Sequence, residues 1–312
     1  MRQTLILIAA VALVGCGKKD SGPPVLGEVV SGDTVSADNV SLSEIGDSQI
    51  KPEPTPAEKA AAEKAAKKAA AIKKSADEAQ AKAFVNTLGM KFVPVAGTDV
   101  QFSIWETRVK DYAAYAVANA GVVESWKKPF GDKFKQADTH PVVVSWNDAN
   151  AFCAWLTEKE LAEGKIKAGQ HYRLPTDAEW SVAVGLGKEK GNTPEEKDSG
   201  IEVVYPWGKE SPPPVGAGNY YKSLKVDNFE YTSPVGSFAA NKLGLHDMGG
   251  NVWEWCEDWY DPAAKACRVL RGASWGDGYP GLLLSSYRSG GAPDGRDDLV
   301  GFRCVLVGGS GG

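Results

Sequence analysis

The sequence predicts a loop-rich domain of mixed strands and helices around an aromatic core, carried on a helical stalk. Three observations lead there. Thirty-five glycines and ten tryptophans in 312 residues call for many turns and supply large side chains for burial. Stretches that alternate like strands run directly into stretches with helical spacing. An Ala/Lys/Glu-rich segment with almost no large apolar residue precedes them.

The length suits one large domain or two ordinary ones. A net charge of -5 argues against nucleic acid as a partner. At the start, "MRQTLILIAAVALVGCGKK" places an apolar run, Leu5 to Val14, between Arg2 and Gly15-Cys16. The run is short for a bilayer span, which takes about 20 residues, and reads as a signal peptide over 1–15. "LVGC" resembles the lipobox of bacterial lipoproteins. The resemblance implies cleavage before Cys16, lipidation of Cys16 and anchoring in the envelope membrane. Gly17, where inner-membrane lipoproteins usually carry Asp, points to the outer membrane. The domain is then expected outside the cytoplasm, where disulfides persist.

Residues 16–54 have no sustained period and read as a disordered tether. Residues 55–83 are strong helix formers, with Glu58 and Glu63 in the N-terminal half and Ile72 as the large apolar residue. This segment reads as a spacer, about 44 Å long at 1.5 Å per residue. Stalk-to-stalk association is the alternative, and alanine makes a poor seam for it.

The composition changes at Phe84. "MKFVPV" and "VQFSIWE" suggest a hairpin. Val109, Tyr112, Ala113 and Ala116 fall at helical spacing, closed by Gly121. "HPVVV" reads as a strand feeding a second helix. Ser145 is its N-cap with Asp148 three residues on, Ala149, Phe152, Cys153 and Leu156 form its buried face, and Gly164 ends it. In "RLPTDAEW", Thr176 caps a short helix and Glu179 completes a capping box. The three histidines, 140, 171 and 246, lack the spacing of zinc ligands.

"RLPTDAEW", "GNVWEW", "RGASW" and "GFRC" occur in an order and spacing that resemble the formylglycine-generating enzyme, or sulfatase-modifying factor, family over about residues 85–308. The resemblance implies an α+β, C-type-lectin-like domain over 84–308 with few regular strands, leaving 309–312 as a flexible tail. Apart from Cys16 there are four cysteines, which allow three pairings. The resemblance implies Cys153 with Cys304, which leaves Cys256 with Cys267.

The resemblance also implies two calcium sites. One set is Asp247, Gly250, Val252 and Glu254, with carbonyls from the middle two. The other is Asn219, Tyr220, Asp227 and Phe229. Calcium takes six to eight oxygens, and irregular glycine-rich loops supply them. The same residues also suit a turn cluster whose carboxylates accept backbone amides.

Catalytic relatives carry two copper-binding cysteines soon after the "RGGS" motif, because soft thiolates select Cu(I) and carry the redox step. Here Asp277 and Leu282 fall at those positions, and no thiol lies between Cys267 and Cys304. No copper and no formylglycine-generating activity are expected. The alternative is an oxidoreductase of that class, acting on a sulfatase cysteine with a different residue set. The segment 275–299 resembles the variable segment of diversity-generating-retroelement proteins. Framework residues such as Leu282 to Ser286 and Pro293 alternate there with small and polar ones. It is expected to bind an extracytoplasmic protein or glycan through Trp275, Asp277, Tyr279, Arg288, Ser289, Asp297 and Asp298.

Overall fold

The computed structural model describes residues 54–131 and 133–308. The signal peptide, Cys16, the tether up to residue 53 and the tail 309–312 lie outside the described residues. The chain divides between Ala69 and Ala70 into two units, so residues 54–69 belong to one and residues 70–308 to the other.

Helix α1 spans Pro56–Gln80. Thr55 opens it through a reciprocal pair with Glu58: the Glu58 carboxylate accepts from the Thr55 amide and the Thr55 hydroxyl accepts from the Glu58 amide. Its last two turns are not a free spacer. Ala76 is buried, the Ser75 hydroxyl donates to the Lys242 carbonyl at 2.8 Å, and Gln80 Nε2 donates to the Gly244 carbonyl at 2.8 Å. Gly244 adopts φ +83°, and a Cβ there would sit 3.3 Å from the Ala76 carbonyl and the Ala79 side chain. Alanine's small side chain permits this close approach, so a helix poor in large residues still docks.

The hairpin forms as expected from Lys91–Pro94 (β2) and Val100–Ser103 (β3), with Val93 opposite Phe102. Phe84–Val85 (β1) extends one edge. On the other side, β3 pairs with the last strand, Val305–Val307 (β9), which also pairs with His171–Arg173 (β4). The sheet order is β1-β2-β3-β9-β4. It joins the start and the end of the domain.

Helix α2 covers Val109–Ala118, and α3 covers Trp146–Ala162 with the Ser145–Asp148 capping box in place. "HPVVV" differs from the expected strand. The Val142 amide donates to Thr107 and the Val144 amide to Val300, so the segment stitches two neighbours instead of forming one ladder. Helix α4, Asp177–Val184, carries the Thr176–Glu179 box, and a short helix α5 covers Pro194–Lys197.

The second sheet runs β7-β6-β5-β8, from Trp253–Trp259 (β5), Arg268–Arg271 (β6), Ser289–Gly291 (β7) and Val300–Gly301 (β8). Trp253, Trp255 and Trp180 are almost fully enclosed, each removing a large apolar area from water. Irregular backbone fills the rest, as the glycine count indicated.

Candidate functional site

β6 ends at Arg271, and the chain turns through Gly272 and Ala273, both at positive φ. This turn drops Ser274 into the interior and brings Asp277 back over it. The Ser274 hydroxyl donates to Asp277 Oδ2 at 2.6 Å and the Ser274 amide at 2.9 Å. Burial pushes the Asp277 carboxyl up, although the bonds from Ser274 pull the other way. Leu282 is half-buried and offers no donor atom. The residues at the two cysteine positions therefore do not fit copper: one is a hard oxygen committed to Ser274, the other a hydrocarbon.

Beyond the turn, segment 275–299 divides by burial. Leu283, Ser285, Ser286 and Arg288 are buried and hold the scaffold. Tyr279 is 78% exposed. Trp275 is half-buried, and its indole donates to the Asp298 carbonyl at 3.3 Å. Ser289 lies half-buried in β7. Asp297 accepts from the Leu299 amide at 2.9 Å, and both it and Asp298 are half-buried.

Arg288 corrects the sequence reading: it does not belong to the binding surface. Its guanidinium is fully enclosed and held by Asp177, with Nε on Oδ1 and Nη2 on Oδ2, and by Glu189 at 2.8 Å. Arg271 also pairs with Asp177 and stacks over Trp180 at 4.4 Å. A buried guanidinium requires carboxylate partners, and these lie in the core. Sequence reading missed this cluster, because Asp177 and Arg288 are 111 residues apart and each sits in an ordinary polar context.

The two calcium sets adjoin. The Asn251 amide donates to the Asn219 carbonyl at 2.8 Å, and a Cβ at Gly250 would lie 2.4 Å from that oxygen. In the first set Glu254 is already committed. Arg303 donates to both of its oxygens, at 2.6 and 2.7 Å, and the Trp180 indole adds a third bond at 3.0 Å. Asp247 accepts from the Gly236 amide at 2.6 Å, and Val252 is buried. With Glu254 neutralised by a guanidinium, this set does not fit calcium. Burial pushes Asp247 up, as it does Glu106, whose Oε1 is buried without a partner.

The second set fits better. Asn219 Oδ1 is buried and has no partner, while its Nδ2 donates to the Tyr231 carbonyl at 2.8 Å. Asp227 accepts the Tyr220 amide at 3.0 Å and the Phe229 amide at 2.8 Å, which is also what a turn cluster requires. Phe229 is partly exposed and Tyr220 is enclosed.

The expected disulfides are not formed. Cys153, Cys256 and Cys304 are buried free thiols. Cys153 Sγ and Cys304 Sγ do come together, at 3.5 Å. Cys256 is a free thiol and so is not joined to Cys267, whose carbonyl accepts from the Tyr260 amide at 2.8 Å. Burial pushes the thiols of Cys153 and Cys256 well up, which keeps them protonated.

Comparison with known proteins adds a family. The sulfatase-modifying factor enzyme 1-like domain matches residues 34–307. The chain is 38% identical over 192 residues to inactive C-alpha-formylglycine-generating enzyme 2 of Mus musculus, covering 58% of this chain and 54% of that protein. It is 32% identical over 209 residues to the formylglycine-generating enzyme of Thermomonospora curvata, covering 58% and 60%. The chain thus spans little more than half the length of these relatives. Among solved structures, PvdO from Pseudomonas aeruginosa superposes with a TM-score of 0.47 at 26% identity, over 67% of this chain and 80% of that one. Treponema denticola variable protein 1 gives 0.49 at 19%, over 72% and 98%. With a match that runs through the capped helices, the Ser274 turn and the final strand, the chain belongs to the sulfatase-modifying factor enzyme 1-like domain family.

Proposed function

We propose that this chain is a non-catalytic member of its family. In this reading it is anchored to the envelope by lipidated Cys16, with the outer membrane as the site of anchoring. It binds a protein or glycan outside the cytoplasm through the surface of residues 275–299. The observation that carries the reading is the pair at the redox positions. Asp277 is bonded to Ser274 and Leu282 has no donor atom, so these two positions lack the thiolates that oxidise a cysteine. The similarity to a protein named as inactive is a second support.

The division of 275–299 into a buried framework and outward small and polar residues supports the binding role, and fits a segment that tolerates variation. Calcium, where present, is held by Asn219 and Asp227 with the Tyr220 and Phe229 carbonyls, and supplies loop rigidity, not chemistry.

The test is incubation of the purified chain with Cu(I) and a CxPxR-type cysteine peptide. The expected outcome is no copper uptake and no aldehyde. Copper-dependent conversion of the peptide would establish the oxidoreductase alternative instead.

A further inference from the structure

Loop 187–191 is fastened by one side chain. It follows α4, whose C-cap Gly185 is left-handed, and it ends before Thr193, the N-cap of α5. Among the described residues, none makes a backbone–backbone hydrogen bond with 187–191. Gly187, Lys188, Lys190 and Gly191 are exposed, and a Cβ at Gly187 would meet nothing within 4 Å. Gly191 turns at φ +106°, so a glycine at each end leaves the loop free to swing. Glu189 alone is enclosed, with 8% of its side chain exposed.

The place that Glu189 fills is built for a carboxylate. Arg288 donates to it through two parallel bonds, Nη1 to Oε1 and Nη2 to Oε2, both 2.8 Å. This fork matches a planar carboxylate. Behind it, Ser181 Oγ accepts from Arg288 at 3.2 Å and from Arg271 at 3.1 Å. Asp177 is shared by both guanidiniums. Asp198 is spent on the Arg288 backbone amide and the Ser199 hydroxyl. The enclosure therefore holds two guanidiniums and, without Glu189, one carboxylate. A buried cation short of its partner is costly, so the pocket calls for a second carboxylate. Arg288 is fully enclosed and the residues on both sides of Glu189 are exposed, which makes Glu189 the layer between the guanidinium and water.

We infer that Arg288, backed by Arg271, forms a carboxylate-binding pocket that the chain's own Glu189 occupies as a displaceable plug, and that a carboxylate from outside, free or carried on an acidic peptide, enters when loop 187–191 swings out. The ligand class is read from the group that sits there now. The plug is read from the loop, which breaks only the Glu189 bonds on leaving. A tethered carboxylate has a high effective concentration, so the closed state dominates until an outside carboxylate is concentrated. The inference does not require the surface of 275–299 to bind anything.

The experiment uses the full chain. Glu189→Ala empties the pocket, and acetate is expected to raise the melting temperature of this variant, saturably, by about 4 °C or more. Acetamide, a neutral molecule of the same shape, and chloride at the same ionic strength should not, and the native chain should respond to acetate far less. In the native chain, trypsin cleavage after Lys188 or Lys190 reports the open loop. Acetyl-Gly-Glu-Gly-amide at high concentration is expected to speed that cleavage at least about threefold, and the glutamine counterpart to leave it unchanged. Equal acceleration by acetate shows that a free carboxylate suffices; acceleration by the peptide alone assigns the pocket to acidic peptides.

No rescue of Glu189→Ala by acetate, or equal rescue by acetamide or chloride, overturns the carboxylate pocket. Rescue by acetate together with native cleavage that neither acetate nor the glutamate peptide alters overturns the plug, and Glu189 is then a fixed counter-ion. If Glu189→Ala does not fold, the cleavage assay on the native chain decides alone: acceleration by the glutamate peptide and not by its glutamine counterpart supports the inference, and equal rates overturn it.

Discussion

Arg288 grips Asp177 with two parallel bonds, Nε to Oδ1 and Nη2 to Oδ2, each 2.9 Å, and both side chains are enclosed. The pair fastens the end of the 275–288 segment to the start of α4. Removing Arg288 leaves Glu189 without its guanidinium and Asp177 with Arg271 as its remaining cation. Arg288→Ala is therefore expected to destabilise the domain by about 3–5 kcal/mol, read as a lowered urea midpoint. A change near zero would return Arg288 to the surface.

The same cluster fixes a pH dependence. Burial alone would raise Asp177, but Arg271 and Arg288 outweigh it and hold the carboxyl below its usual value. Glu189 is likewise held down by Arg288 against its burial. In the unfolded chain these groups take up protons near pH 4, in the folded chain only at lower pH. The stability they contribute is full above the unfolded value and is lost as pH falls through the folded one. Glu106, Asp247 and Asp277 are raised and work in the opposite direction, so the test is a difference. Glu189→Gln should cost about 1–3 kcal/mol at pH 7, and the gap from the native chain should close below pH 4. A gap that is constant with pH would refute the assignment.

Much of the architecture was legible from local signals. The Ser145–Asp148 and Thr176–Glu179 boxes, the β2–β3 hairpin and the buried face of α3 depend on residues a few positions apart, and all are found where spacing places them. The ion pairs were not legible, since Arg303 reaches Glu254 across 49 residues and Arg288 reaches Asp177 across 111. Neither was the docking of α1, because no large residue marks the contact. The family motifs located Asp277 and Leu282, but only the fold separates Arg288, inside, from Tyr279, outside.

Cys153 and Cys304 are poised without being joined. Their sulfurs lie 3.5 Å apart between α3 and the run into β9. Mild oxidation of the folded chain should remove two thiols from a count made after denaturation and leave Cys256 reactive, since it is buried away from both. The new link would close a long loop and raise stability by about 2–5 kcal/mol. Peptide mapping that joins Cys256 to either partner would contradict the placement of these residues.

The docked end of α1 predicts a boundary inside one helix. Amides near Ala76 should exchange with the protection of the domain, because Ser75 and Gln80 are bonded to residues 242 and 244. Amides before Ala69 should exchange at the rate of a lone helix, since ion pairs such as Glu63–Lys67 add only a few tenths of a kcal/mol. Gly244→Leu, which drives a side chain into the Ala76 carbonyl, should release the protected part and leave the first part unchanged. Uniform exchange along the helix would count against docking.

The proposed lack of redox chemistry is open to reversal by substitution. Asp277 sits on Ser274 in a turn whose backbone, with Gly272 and Ala273 at positive φ, does not depend on the carboxylate alone. Placing sulfur at both positions, Asp277→Cys with Leu282→Cys, should create two soft donors. The double variant should hold Cu(I) against a chromogenic competitor, and each single variant should hold it far less. The native chain should hold none at this site, because an oxygen bonded to a hydroxyl and a hydrocarbon do not compete for a soft ion. Copper binding by the native chain that survives Asp277→Ala would have to come from other residues and would show that the two positions do not decide the activity. Binding by the double variant without oxidation of a cysteine peptide would place the remaining deficit outside these two positions.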